Sequence, residues 1–67
     1  MGRVKDYAMD EAERLVYETY KKVSEGTITY DDTQRIYADD LTSEQIEILK
    51  FIGITDEIEF REAIENA

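Results

Sequence analysis

Three adjacent pairs of acidic residues could bind a metal ion or transfer a proton. They are Asp31-Asp32, Asp39-Asp40 and Asp56-Glu57. A calcium loop of the EF-hand type needs alternating oxygen ligands, a glycine in mid-loop and a glutamate at its twelfth position. Residues 31–40 have neither the glycine nor the alternation. The pairs instead fall at predicted helix starts or in turns, where carboxylates accept hydrogen bonds from backbone N–H groups. We therefore expect no metal ion and no cofactor.

The side chains that activate nucleophiles in enzymes are largely missing. The chain has no histidine and no cysteine, and its only serines are Ser24 and Ser43. Paired carboxylates can catalyse proton transfer only where their surroundings separate their pKa values, usually in an apolar cleft. A chain of 67 residues rarely encloses such a cleft. The sequence therefore predicts a protein that is not an enzyme.

Net charge narrows the choice of partners. Seventeen acidic and eight basic residues give a formal net charge of −9 at pH 7. This charge repels nucleic acids and anionic membranes and attracts basic surfaces. The chain has no stretch of roughly 20 apolar residues that could span a bilayer, and its start lacks the apolar core of a signal peptide. We expect a cytoplasmic protein whose partner is a protein with a basic surface.

Acidic and aromatic side chains on the polar sides of predicted helices form the candidate partner-binding surface. Three glutamates share one face of the last predicted helix, two aspartates lie in an earlier turn, and two tyrosines project from the polar side of the first helix. Aromatic residues are frequent hot spots at protein interfaces, which favours a role for the tyrosines. The predicted partner-binding residues are Glu59, Glu62, Glu65, Asp39, Asp40, Tyr17 and Tyr7.

The sequence predicts four helices, of which the first two lie in residues 1–40. Apolar residues at helical spacing predict a long helix from Arg3 to Glu25, and Gly26 supplies the positive φ that a helix end favours. A short second helix is predicted from near Thr29, which has capping-box spacing to the aspartate three residues later, to Asp39-Asp40. A brief extended segment over residues 27–30 is the alternative.

The third predicted helix has sequence signals at both ends. Thr42 and Gln45 form a capping box. The helix ends at Gly53, after which Ile54 would contact Leu49 as in a Schellman motif. Apolar residues cover more than half of its circumference, so we expect this helix to be either central or half covered by a second chain.

A fourth helix is predicted from Asp56, with Glu59 completing a capping box, to about Asn66. Alternating apolar and charged residues over 57–61 also fit a strand, but the helical register of the residues that follow favours a helix. Residues 1–67 are thus predicted to form a single all-α domain, a compact bundle of about four helices. The predicted core includes Leu15, Val16, Ile36, Ile46, Leu49, Ile52 and Ile64.

In size, negative charge and helical build the chain resembles the short acidic early proteins with which bacteriophages take over host machinery. Such proteins bind and block nucleic-acid-handling enzymes, including polymerases, nucleases and CRISPR complexes, and some of them mimic DNA. The resemblance implies an inhibitor that binds a basic host protein and does not bind nucleic acid directly. Two alternatives remain. One is a structural module that self-assembles, for example as a homodimer, through the third helix, and the other is a regulatory adaptor or antitoxin.

Overall fold

All secondary structure in the described part of the chain is helical. The computed structural model describes residues 2–67, with side-chain surroundings from residue 7 onward. The helices are α1 (Gly2–Ser24), α2 (Tyr30–Arg35), which continues as a π-helical turn (Ile36–Asp40), α3 (Ser43–Lys50) and α4 (Glu57–Glu65). The predicted all-α bundle of about four helices is confirmed. The strand considered for residues 57–61 is wrong, because these residues begin α4.

The end of α1 and the start of α2 are both set by local hydrogen bonds. Gly26 has a φ of +81°, and the Thr27 N–H donates to the Lys22 carbonyl at 2.9 Å, as in a Schellman motif. At the start of α2, the Thr29 hydroxyl accepts from the Asp32 N–H, and the Asp32 carboxylate accepts from the Thr29 N–H. This reciprocal pair is the predicted capping box.

The π-helical turn was not predicted. Its defining bond runs from the Leu41 N–H to the Ile36 carbonyl at 3.0 Å, five residues back. Periodicity places the helix end correctly but cannot distinguish a four-residue from a five-residue hydrogen bond, since the two turns share most of their backbone geometry. The wide turn buries Tyr37 and leaves Ala38, Asp39 and Asp40 exposed.

Helix α3 has the predicted cap at each end. The Thr42 N–H donates to Gln45 Oε1 at 2.9 Å, and the Gln45 N–H donates to the Thr42 hydroxyl at 3.1 Å. After the last turn, Gly53 has a φ of +86°, and the Ile54 N–H donates to the Leu49 carbonyl at 3.1 Å. Ile54 and Leu49 are both buried in the core, as the Schellman prediction requires.

The cap of α4 differs in one bond from the predicted capping box. Asp56 Oδ1 accepts from the Glu59 N–H at 2.8 Å, as expected. The Glu59 carboxylate, however, is held mainly by the residue before the cap: it accepts from the Thr55 N–H at 2.7 Å and from the Thr55 hydroxyl. Thr55 offers two donors in one residue, so it holds the glutamate more completely than a single backbone N–H would.

Packing of α1 against α3 and α4, and of α2 against α4, encloses the core. Its buried residues are Ala12, Tyr37, Leu49, Ile54, Phe60 and Ile64. Of the predicted core, Leu49 and Ile64 are fully buried, whereas Leu15, Val16, Ile36, Ile46 and Ile52 lie partly buried around it. The core also contains the rings of Phe60 and Tyr37, which were not among the named core residues and lie 5.7 Å apart between centroids.

Helix α3 is not fully buried, and it does not leave one whole apolar side exposed. Leu49 is buried and contributes to the core, while Ile46, Ile48 and Ile52 are half-buried at its edge. Phe51, just after the helix, keeps 49% of its surface exposed. The apolar circumference is therefore mostly covered by the chain itself.

We expect Gly53→Ala to destabilise the fold by about 1–2 kcal/mol, the cost of a left-handed backbone for a residue with a Cβ. A Cβ at Gly53 would meet no atom within 4 Å, so the cost is conformational and not steric crowding. Urea unfolding should show a lower midpoint at unchanged slope. Gly53→Asn is the control, because asparagine tolerates positive φ better; equal losses for both variants would contradict this explanation.

Candidate protein-binding surfaces

The three glutamates predicted on one face of α4 have different surroundings. Glu62 is exposed. Glu59 is half-buried, and its carboxylate accepts the two hydrogen bonds from Thr55. Glu65 Oε2 lies 3.8 Å from Arg61 Nε. Two of the three carboxylates therefore already have partners within the chain, which reduces what they can offer to another protein.

Arg61 adds a positive charge to the same helix. Its Nη1 lies 2.6 Å from Asp31 Oδ1, so this ion pair joins α4 to α2. The Arg61 side chain is one-third exposed and also approaches Glu65. The surface of α4 that faces α2 is consequently a mixed-charge region and not a uniformly acidic one.

Other acidic residues lie at the end of the π-helical turn and at the start of α4. We call Asp39, Asp40, Asp56 and Glu57 the acidic edge. All four are exposed, and α4 packs against the π-helical turn. A shallow depression of about 410 Å³ is shared by the two elements, with Tyr37, Ala38, Ile46, Thr55, Asp56 and Glu57 in its lining. The sequence predicted Asp39 and Asp40 as partner-binding residues but treated Asp56 and Glu57 only as helix-start residues.

No described ion pair neutralises the acidic edge, although Asp40 lines a depression together with Lys22 and Arg35. Residues 36–60 contain seven acidic residues and a single basic one, Lys50. The Lys50 Nζ lies 3.3 Å from Glu47 Oε1. The described ion pairs of the protein involve neither the two aspartates of the π-helical turn nor the two acids at the start of α4.

Asp39 and Asp40 lie at the end of the second helical segment, as predicted, and they cap no helix start. They end the π-helical turn, where the helix dipole disfavours negative charge. In the other two pairs, Asp32 and Asp56 both accept from backbone N–H groups at helix starts. Local helix stability therefore does not account for Asp39 and Asp40.

Both predicted tyrosines are exposed. Tyr7 keeps 66% and Tyr17 keeps 60% of its surface accessible. The Tyr17 ring lies 6.5 Å from that of Tyr20, centroid to centroid. Tyr17 also lines a groove between α1 and α4, whereas Tyr7 lies earlier on α1 and lines none of the described grooves. The sequence predicted the same partner-binding role for both tyrosines, but their surroundings in the structure differ.

The groove beside Tyr17, which we call the α1–α4 groove, has a volume of about 250 Å³. Its apolar lining consists of Val16, Tyr17, Ile52, Ile54, Ala63 and Ala67, and Glu13 is the one charged residue. Ile54 is buried and forms part of its floor. The sequence did not predict this groove, because its residues come from three separate parts of the chain.

The described residues include no group of three or more His, Cys, Asp or Glu side chains that could hold a metal ion. Over the same residues, no helix combines the length and the apolar character that crossing a membrane requires. Comparison of the chain with family models, curated proteins and solved structures found no match.

Two carboxylates at helix starts have lowered pKa values. Hydrogen bonds from the Thr55 hydroxyl and backbone N–H hold the pKa of Glu59 below its ordinary value of 4.5. The Thr29 backbone N–H, and then its hydroxyl, hold the pKa of Asp32 below its ordinary value of 3.8. In each case the donated hydrogen bonds stabilise the charged form of the carboxyl group.

We expect the fold to lose stability in acid, in part through Glu59. Because its pKa is lower in the folded state, the carboxylate stabilises the fold fully above about pH 4.5, and this contribution is lost as the pH falls through the folded value. Thermal unfolding followed by circular dichroism from about pH 6 to about pH 3 should show a smaller acid dependence for Glu59→Gln than for wild type. Glu62→Gln, an exposed change of the same kind on the same helix, is the control. Identical pH profiles for the two variants would contradict the assignment.

Proposed function

We propose that this protein binds a basic surface of a nucleic-acid-handling protein through the acidic edge and thereby excludes nucleic acid from that surface. One observation carries the proposal: four exposed carboxylates lie on two elements that pack against each other, and none of the four takes part in a described ion pair. Surfaces that bind nucleic acid are rich in Lys and Arg, so they complement this region in charge.

The position of Asp39 and Asp40 supports a binding role. Negative charge at the C-terminal end of a helix opposes the helix dipole, so these residues are unfavourable for the turn that they end. Residues that reduce local stability are explained more readily by what they bind than by how the chain folds. The net charge of −9 adds a long-range field that accelerates association with a positive surface.

The inhibitory part of the proposal is stoichiometric. The described residues include no candidate nucleophile paired with a base, so occupation of a site is the mechanism that the side chains support. Resemblance in size, charge and build to acidic early proteins of bacteriophages supports a host enzyme as the target, with DNA mimicry as one form of the same mechanism. The proposal places the protein in the cytoplasm with such a partner.

The test uses the immobilised full chain and purified basic enzymes that act on nucleic acids, such as a polymerase, a nuclease and a helicase. We expect binding to at least one of them, inhibition that reaches completion near one protein per enzyme, and displacement by duplex DNA. Affinity should fall as salt rises from about 50 to about 300 mM, because screening shortens the reach of surface charges. Binding that is independent of salt and unaffected by DNA would overturn the proposal.

Self-assembly is the second candidate function, and one observation favours it. Phe51, which directly follows α3, and Ile58, in the first turn of α4, are about half exposed. Apolar side chains of this size at the surface are typical of contacts between chains when they form a patch. Size-exclusion chromatography with light scattering distinguishes the two functions. A stable dimer that Phe51→Ser converts to a monomer would favour self-assembly.

A further inference from the structure

We infer that the α1–α4 groove receives an apolar side chain from a basic segment of the partner, with Glu13 binding a neighbouring Lys or Arg. This inference rests on the proposed function, since it assumes a basic partner. It adds a second contact area that is distinct from the acidic edge and whose strength does not depend mainly on charge.

The lining of the groove determines the kind of group that fits. Val16, Ile52 and Ala63 are half-buried and Ile54 is buried, so the floor and walls are apolar. Its volume of about 250 Å³ falls below the roughly 300–1,000 Å³ of pockets for drug-sized ligands. Side chains that line it offer one charged group and no cluster of polar groups that could orient a polar metabolite. One large aliphatic or aromatic side chain is the occupant that matches this size and chemistry.

Charge complementarity then decides which molecule supplies that side chain. Glu13 is exposed and lines the groove, so a cation next to the apolar group would meet a carboxylate. A second copy of the chain also carries a charge of −9, and association of two such copies is opposed by repulsion. A basic segment of another protein avoids this repulsion and gains from the same field.

Tyr17 forms an exposed wall of the groove, and a bound partner can cover this side chain. It is 60% exposed, so most of its surface is available for burial on binding. Tyrosines that become buried at the centre of an interface are frequent hot spots, and their truncation typically weakens binding more than tenfold. Tyr7 has the same side chain, a similar exposure and the same helix, but it does not line the groove, so it is the matched control.

The test uses two short synthetic peptides, one of lysine and tryptophan and one of lysine and serine with the same charge. The chain contains five tyrosines but no tryptophan, so fluorescence excited at the long-wavelength edge of the tryptophan band reports the burial of the peptide alone. We expect the tryptophan peptide to bind more tightly and to keep its advantage at high salt. Tyr17→Ala should reduce its affinity about tenfold or more, Tyr7→Ala should change it little, and Ala63→Leu, which fills the groove, should also reduce it. Both groove variants should leave the serine peptide unaffected.

Nuclear magnetic resonance gives a direct readout of the site. The tryptophan peptide should shift the methyl signals of Ile52 and Ile54 in wild type and not in Ala63→Leu. Equal affinities for the two peptides, or equal effects of Tyr17→Ala and Tyr7→Ala, would overturn the groove assignment and leave the acidic edge untouched. Failure of both peptides to bind at low salt would instead overturn the proposed attraction to basic partners and, with it, this inference.

Discussion

Phe60→Ala is expected to abolish the stable folded state. Phe60 is fully buried, and its ring packs against Tyr37 at the centre of the core. Removal of a buried phenylalanine side chain costs about 3–5 kcal/mol, and a single core in a chain of this size rarely supplies more than about 3–5 kcal/mol in total. Circular dichroism and urea unfolding should show a largely unfolded chain at room temperature.

Phe51→Ala provides the matched control. Phe60 and Phe51 are the only two phenylalanines, so the two variants lose the same atoms. Phe51 keeps 49% of its surface exposed, and we expect its replacement to cost no more than about 1 kcal/mol. A similar loss of stability in both variants would show that the centre of the core lies elsewhere. Leu49→Ala, at a second fully buried position, should cost about 2–5 kcal/mol.

Reversal of charge at the acidic edge is expected to have the largest effect on binding. Replacement of Asp39, Asp40 and Glu57 with lysine puts three cations where the partner's basic residues would lie. Close charge pairs at protein interfaces contribute several kcal/mol, so affinity for the basic partner should fall by at least about 100-fold at low salt. Isothermal titration calorimetry over a range of salt concentrations measures both the loss and its electrostatic origin.

The control for this experiment changes the same total charge at another place. Asp10, Glu18 and Glu25 are exposed and lie on α1 or just after it, so their reversal alters the long-range field without touching the acidic edge. We expect a loss of about tenfold or less from them, mainly through slower association. Equal losses from the two triple variants would show that net charge alone drives binding. No loss from either would contradict an electrostatic interface.

Glu62→Lys tests whether the glutamates of α4 contribute to partner binding. Glu59 and Glu65 are poor choices for reversal, because one carboxylate accepts hydrogen bonds from Thr55 and the other pairs with Arg61. Their partner-binding role stays a prediction, as does that of Glu62. Because Glu62 is exposed, its replacement should leave the fold intact. A weaker affinity for the basic partner would then show that this face of α4 contributes to binding.

The elements of the fold could be predicted because their signals are local. The capping boxes at Thr29 and Thr42 join residues three apart, and the glycines at 26 and 53 act through their own φ angles. Such signals depend on a few neighbouring residues, and each was correctly located. The π-helical turn and the bond from Thr55 to Glu59 were missed, because alternative local hydrogen bonds differ little in energy and tertiary packing selects between them.

For the candidate site, the sequence predicted which kinds of residue lie on the surface but not how they are arranged there. Acidic residues were correctly expected outside the core, but the residues that surround each of them were not predicted. Arg61 and Asp31 are thirty residues apart in sequence and form an ion pair, and the π-helical turn that carries Asp39 and Asp40 packs against α4. No spacing rule relates residues at such separations, so only the packing of helices decides which charges meet.

The sequence by itself determined that this chain is acidic, helical and capped at defined residues, since charge, periodicity and capping are properties of short segments. Tertiary structure alone decided that Phe60 and Tyr37 fill the centre, while aliphatic residues such as Leu15 and Ile46 lie around it. It also created the α1–α4 groove from distant segments. The physical reason is that complete burial and surface shape depend on how several helices fill space together, and amphipathic periodicity shows only which side of each helix faces inward.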